Sequence, residues 1–249
     1  MARVSREKSS TGIYHIMLRG IDKRDIFIDD KDREVFINYL SSAKEKSNYV
    51  IYGYCLMDNH IHLLIEEGHE HIGESIKRIT VGYVQWHNLK YSRTGHLFKN
   101  RYKSEVIEDD AYFLTVLRYI HQNPIKAGIV QDIADYKWSS YIYYLEGPKQ
   151  RLVSVNRGKS YFVSQNNFTD FMKMPSSDQC IEYEVKIKYT DEKLKDEILK
   201  VYTKPDLIAS LPKEERNNVI KEIKQYTGAS NRQLSRVLGI GRGIVERIY

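Results

Sequence analysis

The sequence predicts an α+β fold built on an antiparallel sheet, and two observations support this. Short segments alternate apolar and polar residues, as strands do, whereas longer segments repeat apolar residues every three or four positions, as amphipathic helices do. Along the first half of the chain these segments follow the order strand, helix, strand, strand, helix, strand, helix. This order is typical of a ferredoxin-like domain, in which helices pack on an antiparallel sheet.

Each of these elements has local signals for where it begins or ends. Asp29 or Asp30 can cap the first helix, and an aspartate also precedes the third, which we expect to stop near Pro124. Asp58-Asn59 is a tight link that pairs the second and third strands as a hairpin. The predicted strands are 13–19, 49–57, the segment that begins at His60, and 102–108; the predicted helices are 30–46, 72–91 and 110–124.

Composition divides the chain into three segments. Residues 1–146 hold the predicted α+β domain. Residues 147–190 mix Asn, Ser and Gly with short apolar pieces, so we interpret them as a connector with one helix near 167–173. Residues 191–249 are strongly helical and are predicted to form a small all-α domain.

Overall composition excludes several classes of protein. The 249 residues contain 39 Lys and Arg against 33 Asp and Glu, a net charge of +6 that weakly favours a polyanionic partner. Cys55 and Cys180 are too few for a disulfide framework, which favours a reducing compartment. No apolar stretch reaches membrane-spanning length and the N-terminus lacks a signal-peptide core. We therefore expect a soluble, cytoplasmic protein without a membrane partner.

Two histidines, His60 and His62, lie one residue apart in an otherwise apolar strand. Because a strand alternates its side chains between faces, both histidines point to one face and Ile61 and Leu63 to the other. Two imidazoles on one face make half of a divalent-metal site, since histidine is the commonest protein metal ligand. An isolated pair of this kind is also compatible with the polar face of a half-buried strand.

The third predicted helix can complete such a site. Tyr119 and Asn123 are separated by four residues, so they are neighbours on one helix face. Asn123 offers a carbonyl oxygen as a third ligand, and Tyr119 offers a phenol as a nucleophile. Two points stay open, because Pro124 biases Asn123 away from helical geometry and Tyr112 falls on the same stripe of the helix.

Several ordered motifs resemble one family. They are M-D-N-H-I-H-L-L at 57–64, G-H-L-F-K-N-R-Y-K-S at 95–104 and L-R-Y-I-H-Q-N-P-I-K-A-G at 117–128. Arg19-Gly20 and D-Y-K-W-S-S-Y at 135–141 agree with them. Together they resemble the REP-associated tyrosine transposases, a branch of the single-tyrosine HUH transposase and endonuclease family.

The resemblance implies a role for each candidate residue. His60 and His62 match the histidine pair of the HUH motif, Tyr119 the catalytic tyrosine, and Asn123 the polar residue that completes the metal site. A bound Mg²⁺ or Mn²⁺ would polarise a phosphate oxygen for attack by Tyr119, leaving a 5′-phosphotyrosine and a free 3′-OH. The implied substrate is a single-stranded hairpin of a repetitive palindromic element.

The segment from residue 72 to residue 104 has the composition of a single-strand binding surface. It contains seven basic residues against the single acidic residue Glu74, and Trp86, Tyr91, Phe98 and Tyr102 lie among them. Cations can neutralise phosphates and aromatic rings can stack on bases, although a solvated helix face with core aromatics is the alternative. The predicted DNA-binding residues of the first domain are Arg19, Lys77, Arg78, Lys90, Arg93, Lys99, Arg101 and Lys103.

The C-terminal segment has a helix-turn-helix pattern. An amphipathic helix at 213–226, a capping box that begins at Ser230 and a glycine-rich turn precede a short last helix at 242–248. We expect this domain to bind double-stranded DNA, with base contacts around Arg242 and Arg247. Small three-helix units also bind proteins, and that alternative stays open.

The leading hypothesis is a metal-dependent, tyrosine-based enzyme that cleaves and rejoins DNA. One alternative is a domesticated, non-catalytic DNA-binding regulator, which the intact set of candidate residues argues against. Another is a single-strand RNA-binding module, which would need exposed aromatic residues on its central strands. The sequence leaves the oligomeric state, monomer or homodimer, undecided.

Overall fold

The computed structural model describes residues 6–147, 152–175, 180–181, 190–202 and 205–248. The chain divides into two compact units, Met1–Glu182 and Tyr183–Tyr249. The elements of the first unit are β1 (Ile13–Arg19), α1 (Asp30–Ser47), β2 (Val50–Met57), β3 (His60–Glu66), α2 (Ile72–Lys90), β4 (Lys103–Val106), α3 (Asp110–Lys126), α4 (Tyr141–Glu146), α5 (Asn156–Ser160) and α6 (Gln165–Lys173). Those of the second unit are α7 (Asp191–Val201), α8 (Pro205–Ile208), α9 (Lys213–Thr227), α10 (Asn231–Leu238) and α11 (Arg242–Glu246).

The sheet of the first unit has the strand order β2-β3-β1-β4, and all its neighbouring strands are antiparallel. The predicted α+β fold with an antiparallel sheet is therefore confirmed. Helix α3 packs on the sheet through the apolar positions that its period predicts, because Phe113, Val116, Leu117 and Ile120 are fully buried. The histidine strand β3 lies in the interior of the sheet, which fixes its register on both sides.

Helix α3 ends at Lys126, two residues after Pro124, so its end lies near the predicted position, but Pro124 does not move Asn123 out of helical geometry. Proline removes one N–H from the helical ladder, but the groups that follow still bond within the turn. The amide of Ala127 donates to the carbonyl of Asn123 at 2.9 Å, and that of Ile129 to the carbonyl of Pro124 at 2.9 Å. Asn123 is thus helical, and it stays one turn after Tyr119.

Much of the segment interpreted as a connector packs into the core of the first unit. Leu152, Val153 and Val155 are buried beside the sheet, and Phe168 and Met172 of α6 are buried as well. The ring of Phe168 stacks on that of Tyr144 with 5.0 Å between centroids. The sequence of this segment did not indicate the packing, because most of its residues are polar and its buried apolar residues are few and widely spaced.

The second unit has its own apolar core, formed by residues such as Leu194, Ile220 and Leu234. Helix α9 ends at Gly228, which has a left-handed backbone. Ser230 caps α10 by accepting from the amide of Gln233 at 3.2 Å. The Gln233 side chain donates to Asp191. No described helix is long and apolar enough to cross a membrane.

Candidate active site on the sheet face

The strand register places the predicted histidines beside residues of β1. Arg19 is the direct partner of His60, and Met17 is the direct partner of His62. Directly paired residues of antiparallel strands share a face, and so do residues two positions apart. One face of the sheet therefore carries His60, His62, Arg19 and His15 together.

His62 is fully buried, and its two ring nitrogens have different surroundings. Its Nδ1 lies 2.9 Å from Nε2 of His15. Its Nε2 is buried and has no hydrogen-bond partner among the described residues. Burial, together with the neighbouring His15 and His60, holds the pKa of His62 well below its ordinary value. The imidazole is therefore neutral, which is the form that binds a metal ion.

Helix α3 brings Tyr119 against this histidine. The Tyr119 ring is edge-on to the rings of His62 and His15, with centroid distances of 5.7 Å and 5.9 Å. The His60 and His62 rings are 5.1 Å apart. Asn123 joins the group through the helix, since its side-chain nitrogen donates to the carbonyl of Tyr119 at 3.0 Å. The predicted nucleophile and histidine pair thus lie together on one side of the sheet.

The donor set can be tested for its fit to a divalent cation. The Nε2 of His62 is buried and has no hydrogen-bond partner among the described residues, so it is available to bind a metal ion. The side-chain oxygen of Asn123, one turn after Tyr119, can serve as an oxygen ligand. Two imidazoles with an amide oxygen suit Mn²⁺ and are compatible with Mg²⁺. Among the described residues, no group of three His, Cys, Asp or Glu side chains is arranged to hold a metal ion. By its donor atoms, the candidate set is two histidines with an asparagine as the third ligand.

Three further residues lie beside the candidate site residues, and the sequence did not single them out. Glu105 is the direct partner of His15 on β4, and its Oε2 is 3.6 Å from Nδ1 of His15. Burial raises the pKa of Glu105, but its interactions with His15 and Tyr112 outweigh burial and leave the pKa below its ordinary value. Lys126 places its ammonium 4.5 Å from the ring centre of Tyr119. For His15 the available sequence signal was a histidine inside an apolar strand. For Glu105 it was a single acidic residue after a run of basic residues.

The alternative nucleophile Tyr112 lies beside a carboxylate. Burial and a hydrogen bond with Glu105 raise the pKa of its phenol well above the ordinary value. Its neighbours are therefore Glu105 and Cys180, whereas those of Tyr119 are the histidines.

The predicted DNA-binding residues occupy different environments. Lys103 is the direct partner of Met17, so it shares the sheet face of the histidines with Arg19. Lys90 forms ion pairs with Asp29 and Asp32 at 2.7 Å. Arg78 forms an ion pair with Glu70, Arg242 with Glu246 at 2.7 Å, and Arg247 donates to the carbonyl of Gly243. These bonds engage Lys90 and Arg78 within the fold, whereas their contact with DNA is a prediction.

A cavity of about 610 Å³ separates α2 from the segment that leads to β4. Lys77 and Arg101 lie on its wall, beside apolar residues that include Val81 and Phe98. Leu18 also contributes to the wall, and by alternation it projects from the face of β1 opposite to Arg19. The predicted basic residues are thus distributed over both faces of the sheet.

Comparisons with known proteins agree with this geometry. Residues 8–123 match the family of IS200-like transposases. The chain is 23% identical over 157 residues to a Haemophilus influenzae protein named "Putative REP-associated tyrosine transposase", a match that covers 57% of this chain and 86% of that protein. A solved REP-associated tyrosine transposase bound to a REP hairpin superposes with a TM-score of 0.53 over 62% of this chain and 91% of its own, at 14% identity. The resemblance to REP-associated tyrosine transposases is therefore confirmed.

Proposed function

We propose that this protein cleaves and rejoins single-stranded DNA at palindromic hairpin elements, with Tyr119 as the nucleophile. The observation that carries the proposal is the packing of Tyr119 against His62 on a sheet face that also holds Arg19. The IS200-like match over residues 8–123 supports a DNA-processing enzyme. The hairpin in the related solved structure suggests the form of the substrate.

The reaction needs only one nucleophile. The phenolic oxygen of Tyr119 attacks the phosphorus of a phosphodiester, the bond from phosphorus to the 3′ oxygen breaks, and that oxygen leaves with a proton as a 3′-OH. The product is a 5′-phosphotyrosine. Because the phosphodiester is exchanged and not hydrolysed, a second 3′-OH can reverse the step and rejoin DNA without a nucleotide cofactor.

The side chains around Tyr119 have complementary roles in this proposal. His60, His62 and Asn123 would hold Mg²⁺ or Mn²⁺, and the bound cation would polarise a non-bridging phosphate oxygen. Arg19 and Lys103, on the same face, would neutralise the phosphates on either side of the cut. Lys126, whose ammonium lies 4.5 Å from the centre of the Tyr119 ring, would stabilise a developing phenolate.

The test is formation of a covalent adduct. Labelled hairpin DNA with single-stranded flanks is incubated with the full chain and Mg²⁺ or Mn²⁺, then resolved on a denaturing gel. We expect an adduct that EDTA, His60→Ala and His62→Ala each abolish. Tyr119→Phe should give none, whereas Tyr226→Phe, at an exposed position of the second unit, should retain it. Tyr112→Phe tests the alternative nucleophile and should still form adduct.

Two results would contradict the proposal. An adduct with Tyr119→Phe would exclude this residue as the nucleophile. Hairpin binding by the wild-type chain without any adduct would favour the non-catalytic regulator.

We also propose that residues 191–249 bind double-stranded DNA through α10 and α11. Arg232, Arg242 and Arg247 are exposed on these helices, while their apolar faces pack inward. Full-length Arg242→Gln and Arg247→Gln should each weaken duplex binding and reduce the salt slope by about one. Lys213→Gln, at the start of α9, is the control, and equal loss in all three variants would contradict this assignment.

A further inference from the structure

A row of three polar side chains crosses the sheet beneath Tyr119. Glu105 on β4 is directly opposite His15 on β1, and His15 is in turn diagonal to His62 on β3, whose direct partner is Met17. His15 and His62 are fully buried. The row therefore connects a partly exposed carboxylate to the buried histidine of the proposed metal site.

The distances assign a proton to one nitrogen of each ring. The carboxylate of Glu105 can only accept, so it favours a proton on the facing Nδ1 of His15, 3.6 Å away. Nε2 of His15 is then an acceptor. Since it lies 2.9 Å from Nδ1 of His62, His62 must donate from Nδ1.

The opposite arrangement of protons is unfavourable. If His62 carried its proton on Nε2, that N–H would be a buried donor without an acceptor among the described residues. With the proton on Nδ1, Nε2 presents a lone pair on the side of the ring away from His15. That is the atom and the protonation state that a divalent cation requires.

Glu105 is itself held in place by other groups. Its Oε2 accepts from the backbone amide of Ile181 at 3.2 Å, and the phenol of Tyr112 also hydrogen bonds to the carboxylate. His15 is hydrogen bonded to His62 at 2.9 Å, whereas the Glu105 carboxylate faces Nδ1 of His15 at 3.6 Å, so it acts on His15 through its charge.

We propose that Glu105 and His15 are positioning residues that fix His62 as the Nδ1–H tautomer, with its Nε2 directed to a divalent cation. The inference rests on the proposed metal site. It adds two residues to that site, neither of which contacts the cation or the substrate.

The first experiment measures the tautomer directly. The full-length, metal-free protein labelled with ¹⁵N is examined by long-range ¹H–¹⁵N correlation of the histidine rings at neutral pH, with His62 assigned from its loss in His62→Gln. We expect His62 to be protonated on Nδ1 in the wild type. In folded His15→Leu the preference should be lost, while the His121 signals, from a buried ring bonded to Ser140, should not move.

The second experiment measures Mn²⁺ affinity by titration calorimetry. His15→Leu should weaken binding by about 10- to 100-fold, the usual effect of removing a group that orients a metal ligand. His15→Gln places an amide oxygen near the position of Nε2 and should restore most of the affinity. Glu105→Gln should weaken binding, whereas Glu108→Gln, an exposed carboxylate bonded to Ser10, should not.

Distinct results would overturn the two proposals. His62 protonated on Nε2 in the wild type, or an unchanged Mn²⁺ affinity in folded His15→Leu, would overturn the positioning role. A wild-type protein that binds no Mn²⁺ would overturn the metal site instead, and the tautomer measurement would still decide the role of His15. Thermal unfolding of each variant identifies any that fail to fold. The positioning role is then judged from the Mn²⁺ affinity of His15→Gln compared with that of His15→Leu.

Discussion

Replacing Lys90 with methionine is expected to destabilise the first unit by about 2 kcal/mol. The Lys90 ammonium, at the C-terminal end of α2, lies 2.7 Å from carboxylate oxygens of Asp29 and Asp32 at the start of α1. The Asp32 side chain is fully buried, while that of Lys90 is 26% exposed. The lysine therefore links two helices through a carboxylate that water does not reach.

The expected size of the destabilisation depends on the hydrogen bonds that Asp32 keeps after Lys90 is replaced. Removing one partner of a fully buried ion pair costs about 3–5 kcal/mol. Here Asp32 keeps the backbone amides of Ile28 and Asp29, at 2.6 Å and 3.1 Å, and the Tyr91 hydroxyl at 2.9 Å. Because these donors persist and Lys90 is partly hydrated, we place the cost below that range.

Urea unfolding followed by tryptophan fluorescence measures this effect in the first unit alone. The chain has two tryptophans, and both of them, Trp86 and Trp138, lie in that unit. With a slope of about 2 kcal/mol per molar urea, the midpoint should fall by about 1 M. The matched control is Lys77→Met on the same helix, where both partners of the pair with Glu74 are largely exposed. It should change stability by less than about 0.5 kcal/mol.

Equal midpoints for the two variants would refute the reasoning. Comparing the two variants also separates an effect on stability from an effect on DNA binding, because Lys90 and Lys77 both belong to the predicted DNA-binding residues. We expect Lys77→Met to weaken hairpin binding at unchanged stability.

Three further predictions concern other parts of the first unit. Phe168→Ala should destabilise it by about 3–5 kcal/mol in the same urea assay, whereas Val163→Ala, at a fully exposed position, should have little effect. The hydrogen bonds from Arg78 and Ser47 lower the pKa of Glu70 from 4.5 to about 2, so this contribution to stability is present above about pH 4.5 and is lost as the pH falls toward 2. Glu70→Gln should therefore flatten the loss of stability between pH 5 and pH 3. Lys126→Gln should slow single-turnover adduct formation by about tenfold, and Lys126→Arg should retain the rate.

Local patterns were sufficient to predict the four strands and helices α1, α2, α3 and α6 of the first unit, but not the short helices α4 and α5. Strand β1 has the predicted bounds, and the capping aspartate Asp29 accepts from the amide of Asp32 at the start of α1. The alternation of β3 placed His60 and His62 on one face. The helical geometry of Asn123 was not predictable, because the clash with the proline ring disfavours it locally, whereas the hydrogen bonds of Ala127 and Ile129 continue the helix past Pro124.

The sequence by itself determined the order of strands and helices and the chemical types at the site. It did so because hydrophobic period and capping are properties of neighbouring residues. Only the tertiary structure decided that Lys90 links two helices and that Phe168 belongs to the core. It also decided that His15 contacts both Glu105 and His62. Those contacts join residues 47 to 90 positions apart in some cases, as in His15 with His62 and His15 with Glu105. Their existence depends on strand order and register, which no local pattern contains.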